Sequence, residues 1–143
     1  MLEKITLMEL YLIETLRAEG VTDEEIIRKV KDRQVESFQT YNEDFDFTGL
    51  YALDEAGKLE RILHEGYEVT YLTFTGLENI IMLKFNKQRG KDYNVENYSI
   101  KDLHLPEEDA KVLEQMLSPN WTFLKQDTEI TIKPIAQPPV LKK

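Results

Sequence analysis

Residues 15–33 read TLRAEGVTDEEIIRKVKDR, and no other stretch restricts its own conformation so tightly. Thr22 is an oxygen-bearing N-cap residue with Glu25 three places on, the pattern of a capping box. Val21 and Ile26 bracket the cap as a hydrophobic staple. Asp23, Glu24 and Glu25 set negative charge against the positive end of the new helix. Glu24–Arg28 and Glu25–Lys29 pair at i,i+4 in the favoured order, about 0.3 kcal/mol each. Gly20 supplies a left-handed stop for the helix before it. The stretch predicts two helices joined by a tight turn. The first covers 3–19, with Ile5, Met8, Leu12, Ile13 and Leu16 on one face. The second continues through Ile27, Val30, Gln34, Phe38 and Tyr41 to about residue 40.

Beyond residue 45 the texture changes. Asp54-Glu55-Ala56-Gly57 has the pattern of a type I turn followed by a left-handed glycine, so 48–63 is read as a hairpin. A helix is the alternative, because Leu50, Leu53, Leu59 and Leu63 roughly fit its period. Segments 67–74 and 80–85 are rich in β-branched and aromatic or apolar residues and read as a second hairpin around TGLEN. A polar loop at 86–94 leads to a strand over 95–105. Pro106 then opens a helix at its first turn, with Ala110, Leu113 and Leu117 on its apolar face. Ser118-Pro119-Asn120 stops that helix, and two strands follow around Gln126-Asp127. The expected class is α+β: an N-terminal helical hairpin, an antiparallel meander, one further helix and C-terminal strands. One domain is expected over 1–133, divided into the hairpin at 1–44 and the sheet with its helix at 45–133. A flexible Pro-rich tail is expected over 134–143.

Composition limits the chemistry. The 143 residues contain no cysteine, which removes disulfides, thiolate metal sites and cysteine nucleophiles. The net charge is −9, and it is uneven: residues 1–66 carry 8 Lys and Arg against 16 Asp and Glu, residues 67–143 carry 10 against 11. Such a field repels phosphate backbones and anionic membranes and favours a basic partner. The N-terminal stretch lacks the basic start and unbroken apolar run of a signal peptide. No run approaches the roughly 18 apolar residues that suggest a membrane span. The expectation is a cytoplasmic protein.

Each candidate site competes with a simpler explanation. A helix-turn-helix reader places the start of its second helix in the major groove. Here that start is three carboxylates, so the 3–40 pair argues against nucleic acid. A winged variant needs 48–63 to be helical and 67–85 to form its wing. Lys84, Lys87, Arg89 and Lys91 form the one basic cluster, a candidate anion contact with Gly90 beside it, but they lack a phosphate-loop pattern. Asn42, Asp44 and Asp46 mimic the start of a calcium loop, yet Phe47 and Leu53 stand where a glycine and a closing glutamate belong. Asp102 and His104 fall on one face of a strand, ahead of Glu107 and Glu108, a thin basis for a metal-assisted hydrolase. His64 has no companion. Ser37, Ser99 and Ser118 sit in no nucleophile motif. No metal, cofactor or catalytic constellation is implied.

The remaining feature is the segment 38–51, FQTYNEDFDFTGLY, where aromatic rings alternate with acids. Aromatic residues dominate the energetics of protein interfaces. The leading expectation is therefore a non-catalytic acidic interaction module, a regulator, inhibitor or immunity-type partner. Its contact residues would be Tyr41, Asp44, Phe45, Asp46, Phe47 and Tyr51, facing a protein with a basic surface. Self-association stays open. The alternative is a nucleic-acid-binding regulator using the helix pair or the 84–91 loop.

Overall fold

The first described element is a strand, not a helix. In the computed structural model, which describes residues 2–135, β1 (Glu3–Ile5) precedes α1 (Leu7–Ala18). Thr6 separates them. Its side chain accepts the Glu9 amide at 3.1 Å while the Glu9 carboxylate accepts the Thr6 amide at 2.9 Å, a complete capping box. The helix expected over 3–19 thus loses its first turn, and Met8 points outward. The Gly20 stop is as expected: it has φ +90°, and the amides of Gly20 and Val21 bond back to Arg17 and Leu16.

α2 (Asp23–Lys31) is capped by Thr22, which accepts the Glu25 amide. Val21 and Ile26 are both buried, as a staple requires. The helix ends nine residues short of the expected boundary. Arg33 turns left-handed at φ 57°, and residues Val35–Thr40 continue as a 3-10 turn. A second short 3-10 turn, Phe47–Gly49, follows, with the Thr48 amide capped by the Asp46 side chain.

The hairpin reading of 48–63 is wrong; the segment forms α3 (Leu50–Glu55) and α4 (Leu59–Glu65). The left-handed glycine stands where its pattern predicts, but in a helical setting. Gly57, at φ +74°, ends a helix: its amide bonds to Asp54, and that of Lys58 to Leu53. A tight turn with a left-handed glycine suits either setting, and burial of Leu50, Leu53, Leu59 and Ile62 selects the helical one. Gly57→Ala has open space for its methyl group but a disfavoured backbone. It should cost about 1 kcal/mol, read as a lower urea midpoint with an unchanged slope.

The second hairpin reading also fails. Only β2 (Tyr67–Val69) is extended, and it pairs in parallel with β1, Glu3 opposite Tyr67 and Ile5 opposite Val69. Residues 74–85 form α5 (Phe74–Phe85), capped by Thr73 and closed by Asn86 at φ 60°. A continuous apolar run such as IIMLKF does not distinguish a buried strand from a buried helix. Gly76 sits where α5 meets the start of α1: an added Cβ would lie 2.7 Å from a Leu7 methyl.

The remaining strands form an antiparallel sheet in the order β3-β4-β6-β5. β3 (Asn94–Glu96) and β4 (Ser99–His104) are joined by Asn97-Tyr98, both with positive φ, the signature of a type I′ turn. This splits the single strand expected over 95–105. In β4, Asp102 bulges at φ 63°. The bulge lets Ile100 and Leu103, three residues apart, both face the core opposite Ile132 and Ile130. α6 (Glu107–Met116) starts after Pro106, which serves as its N-cap and not its first helical residue. β5 (Trp121–Gln126) and β6 (Glu129–Pro134) close the sheet. Pro134 is in β6 and the Ile135 amide bonds to Asn120, so these two leave the expected tail; residues 136–143 lie outside the described ones. The class is α+β, and the buried apolar side chains form one cluster spanning helices and sheet.

Candidate interaction site

α1 and α5 lie side by side, tied by two polar contacts one helical turn apart. Asn79 donates to the Tyr11 hydroxyl at 2.9 Å. Lys84 reaches Glu14 at 3.1 and 3.2 Å. Glu14 is only 2% exposed, so its charge must be matched from within the protein. Arg17 supplies a second cation at 3.1 Å, and the Tyr67 hydroxyl donates to the same carboxylate at 2.5 Å. Arg17 also grips Asp23 with two nitrogens and donates to the Leu63 carbonyl. This one carboxylate therefore joins α1, α2, β2 and α5. No buried side-chain nitrogen or oxygen among the described residues lacks a partner.

Burial pushes the Tyr67 phenol well above its ordinary value, and the neighbouring Glu14 charge and hydrogen bond add to the shift. The folded protein therefore prefers the neutral phenol. That stabilisation is complete below the unfolded tyrosine value, about pH 10, and is lost as pH rises beyond it. The melting temperature should fall above pH 10, and Tyr67→Phe should make that fall shallower.

Against the α1–α5 pair lies the segment 41–46. Phe45 stacks on Tyr11 with centroids 6.2 Å apart and planes within 3°. On its other side it meets Phe47 edge-on, and Phe47 meets Phe38. Gln39 holds the turn from below, donating to the Phe45 carbonyl at 2.7 Å and that of Glu43 at 3.3 Å. Asn42 accepts the Asp44 amide, and Asp46 accepts both the hydroxyl and the amide of Thr48. Those bonds, the hydroxyl's first, hold the Asp46 carboxyl below its ordinary range. Asn42 and Asp46 thus serve local turns.

Between these elements is a shallow cleft of about 160 Å³, lined mainly by Tyr11, Phe45, Asn79, Met82 and Leu83. Met82 is 45% exposed. Glu43, Asp44 and Asp46 stand exposed on the adjoining turn and make no ion pair among the described residues.

The six residues singled out from the sequence separate into two groups. Tyr41, Asp44 and Asp46 are exposed and Phe45 is half-buried, all on this turn. Phe47 is 0% exposed, a core residue with no surface to present, which corrects its assignment. Tyr51 is half-buried under the Arg33 guanidinium, 4.7 Å from its ring centre, and its hydroxyl accepts the Val35 amide. Tyr11, Asn79, Met82 and Leu83 are not among the residues the sequence singles out, because they come together only when 74–85 is helical and packs on α1. The signal was Thr73 as a cap, with Leu77, Ile80 and Ile81 at helical spacing behind it.

The basic cluster is largely committed elsewhere. Lys84 faces Glu14. Arg89 makes a two-pronged contact with Glu78, at 2.8 and 2.5 Å, and lies over the Phe74 ring. Lys87 and Lys91 keep no ion pair among the described residues. On the helix pair, Lys31 and Arg33 are spent on Asp54, Glu55 and Glu60. The helical 48–63 segment meets one requirement of a winged DNA reader, but 67–85 supplies no wing. The bulged Asp102 accepts from Asn94, and His104 bonds to Thr128. Among the described residues no three His, Asp or Glu side chains are grouped to hold a metal. No described helix is long and apolar enough to cross a membrane.

No family model, curated protein or solved structure matches this chain.

Proposed function

We propose that the protein is a non-catalytic, cytoplasmic interaction module that docks a basic polypeptide on the 41–46 turn and the adjoining cleft. The observation that supports this most is the pairing of unneutralised carboxylates at 43, 44 and 46 with the apolar floor of Phe45 and Met82. A basic segment with one apolar side chain satisfies both parts: the anchor displaces water from the cleft while its charges meet the acids. The bond Gln39 donates to the Phe45 carbonyl and the one Asn42 accepts from the Asp44 amide fix the turn beforehand, which lowers the ordering cost of binding.

Affinity capture from the protein's own cell extract tests the reading. Met82→Ala and the pair Glu43→Lys with Asp44→Lys should each lose a partner that wild type retains, while thermal melts stay within a few degrees of wild type. Identical captured sets for wild type and both variants would overturn it, as would a salt-sensitive gel shift with bulk DNA or RNA.

A further inference from the structure

The four-stranded sheet has two edges, and they differ. β3 is three residues long, is exposed at Asn94 and Glu96, and carries the Glu96–Lys101 ion pair. Short, charged edges resist pairing with another chain. β5 runs six residues in unbroken register with β6, without bulge or proline. Its one charge is Lys125. Beside it stand Phe123, half-buried, and Leu124, 46% exposed.

The register shows which main-chain groups of β5 are open. Gln126 opposes Glu129 across the two-residue turn Asp127-Thr128. The residues that close such a turn exchange their N–H and C=O groups. In the same register the Ile135 amide bonds to the Asn120 carbonyl. Thr122, Leu124 and Gln126 therefore turn their main-chain groups to β6. The residues between them turn the other way, and the Trp121 amide accordingly bonds to the Ser118 carbonyl instead. Phe123 and Lys125 thus direct their N–H and C=O groups off the edge. Among the described residues no other strand or helix pairs with them.

We propose that two copies of this chain pair along β5, antiparallel about a two-fold axis at Leu124, joining their sheets into one. Each Phe123 then exchanges two main-chain bonds with the partner's Lys125. The Lys125 stem lies along the facing Phe123 ring, so the only charge on the edge becomes part of the contact. Leu124 meets the partner's Leu124 in the closer, non-bonded kind of pair, with Cα atoms about 4.5 Å apart. The two leucines cover one another beside a hollow of about 370 Å³ lined by Leu124, Lys125, Gln126, Glu129 and Thr131. Other axes are worse: one at Lys125 opposes two lysines, and one at Phe123 needs the Trp121 amide, already bonded to Ser118. Charge allows the approach here. The hairpin 121–134 sets Lys125 and Lys133 against Asp127 and Glu129, in a chain of net charge −9. The edge is separate from the 41–46 turn, and its pairing does not depend on that turn having a partner.

Sedimentation equilibrium of the full chain over a wide concentration series should show the mass rising from one chain to two. Lys125→Pro removes only an outward amide, which an edge strand tolerates, so it should keep the circular dichroism spectrum and stay one chain. Leu124→Lys should do the same by opposing two charges across the axis. The register has its own test, because the chain contains no cysteine. Leu124→Cys should oxidise readily to a disulfide-linked dimer, while Thr122→Cys and Gln126→Cys, each alone, should not. A wild-type mass of one chain at every concentration would overturn the proposal and leave the edge to some other occupant. So would dimers that survive both Lys125→Pro and Leu124→Lys, or equal cross-linking at all three cysteine positions.

Discussion

Glu14→Ala should lower stability by about 3 kcal/mol, and up to 5 kcal/mol if no water enters, as expected when one partner of a buried ion pair is removed. The loss exceeds that of an ordinary surface salt bridge because the partners cannot all recover. Arg17 keeps Asp23 and the Leu63 carbonyl, but the buried Tyr67 hydroxyl loses its acceptor. Lys84, at 19% side-chain exposure, recovers part of its hydration, which places the effect toward the lower end. Urea unfolding monitored by circular dichroism measures this directly. Glu14→Leu combined with Lys84→Met should regain more than half of what Glu14→Ala loses, because the buried carboxylate and its half-buried cation leave together. If the double variant is no better than the single one, Glu14 acts mainly through Tyr67 and Arg17, and Lys84 is incidental.

The second large effect separates the core from the surface within one short segment. Phe47→Ala should cost about 3–5 kcal/mol, because it empties a fully buried site between Phe38 and Phe45. Phe45→Ala should cost markedly less, about 1–2 kcal/mol, since half of its ring already meets solvent and it loses chiefly the stack on Tyr11. Melting curves of the two variants, two residues apart, should therefore differ by several degrees or more. Phe45→Ala should stay folded and lose the partner retained by wild type. If both variants unfold, the 41–46 turn is a structural brace, and the interaction reading falls with it.

The contrast between these two phenylalanines shows where the sequence was informative. The junction between the first two helices was legible, because caps act through neighbouring residues: Thr22 and Gly20 do what their patterns imply. So was the class, and so was the final hairpin around Asp127, where turn residues separate two strand-like runs. Segments whose conformation depends on distant partners were not legible. Lys4 and Ile5 continue the helical pattern, yet they pair with a strand more than 60 residues later. Asp54 to Gly57 suit a strand turn and a helix end equally well, and only burial decides. In the candidate site, the acids and Phe45 could be found by composition. The floor of the cleft could not, because Met82 and Asn79 reach it only once 74–85 is known to be helical.

The parallel pairing of β1 with β2 also has a consequence for synthesis on the ribosome. The opening strand emerges first but has nothing to pair with until Tyr67–Val69 clears the exit tunnel, and α1 waits longer still for its neighbour α5. At about 5–20 residues per second, Ile5 and Leu10 face solvent for seconds before their cover arrives. A nascent chain stalled after β1 has cleared the tunnel and before Tyr67–Val69 does should therefore be more prone to stick to other chains than the finished one, and chaperones should engage it more strongly.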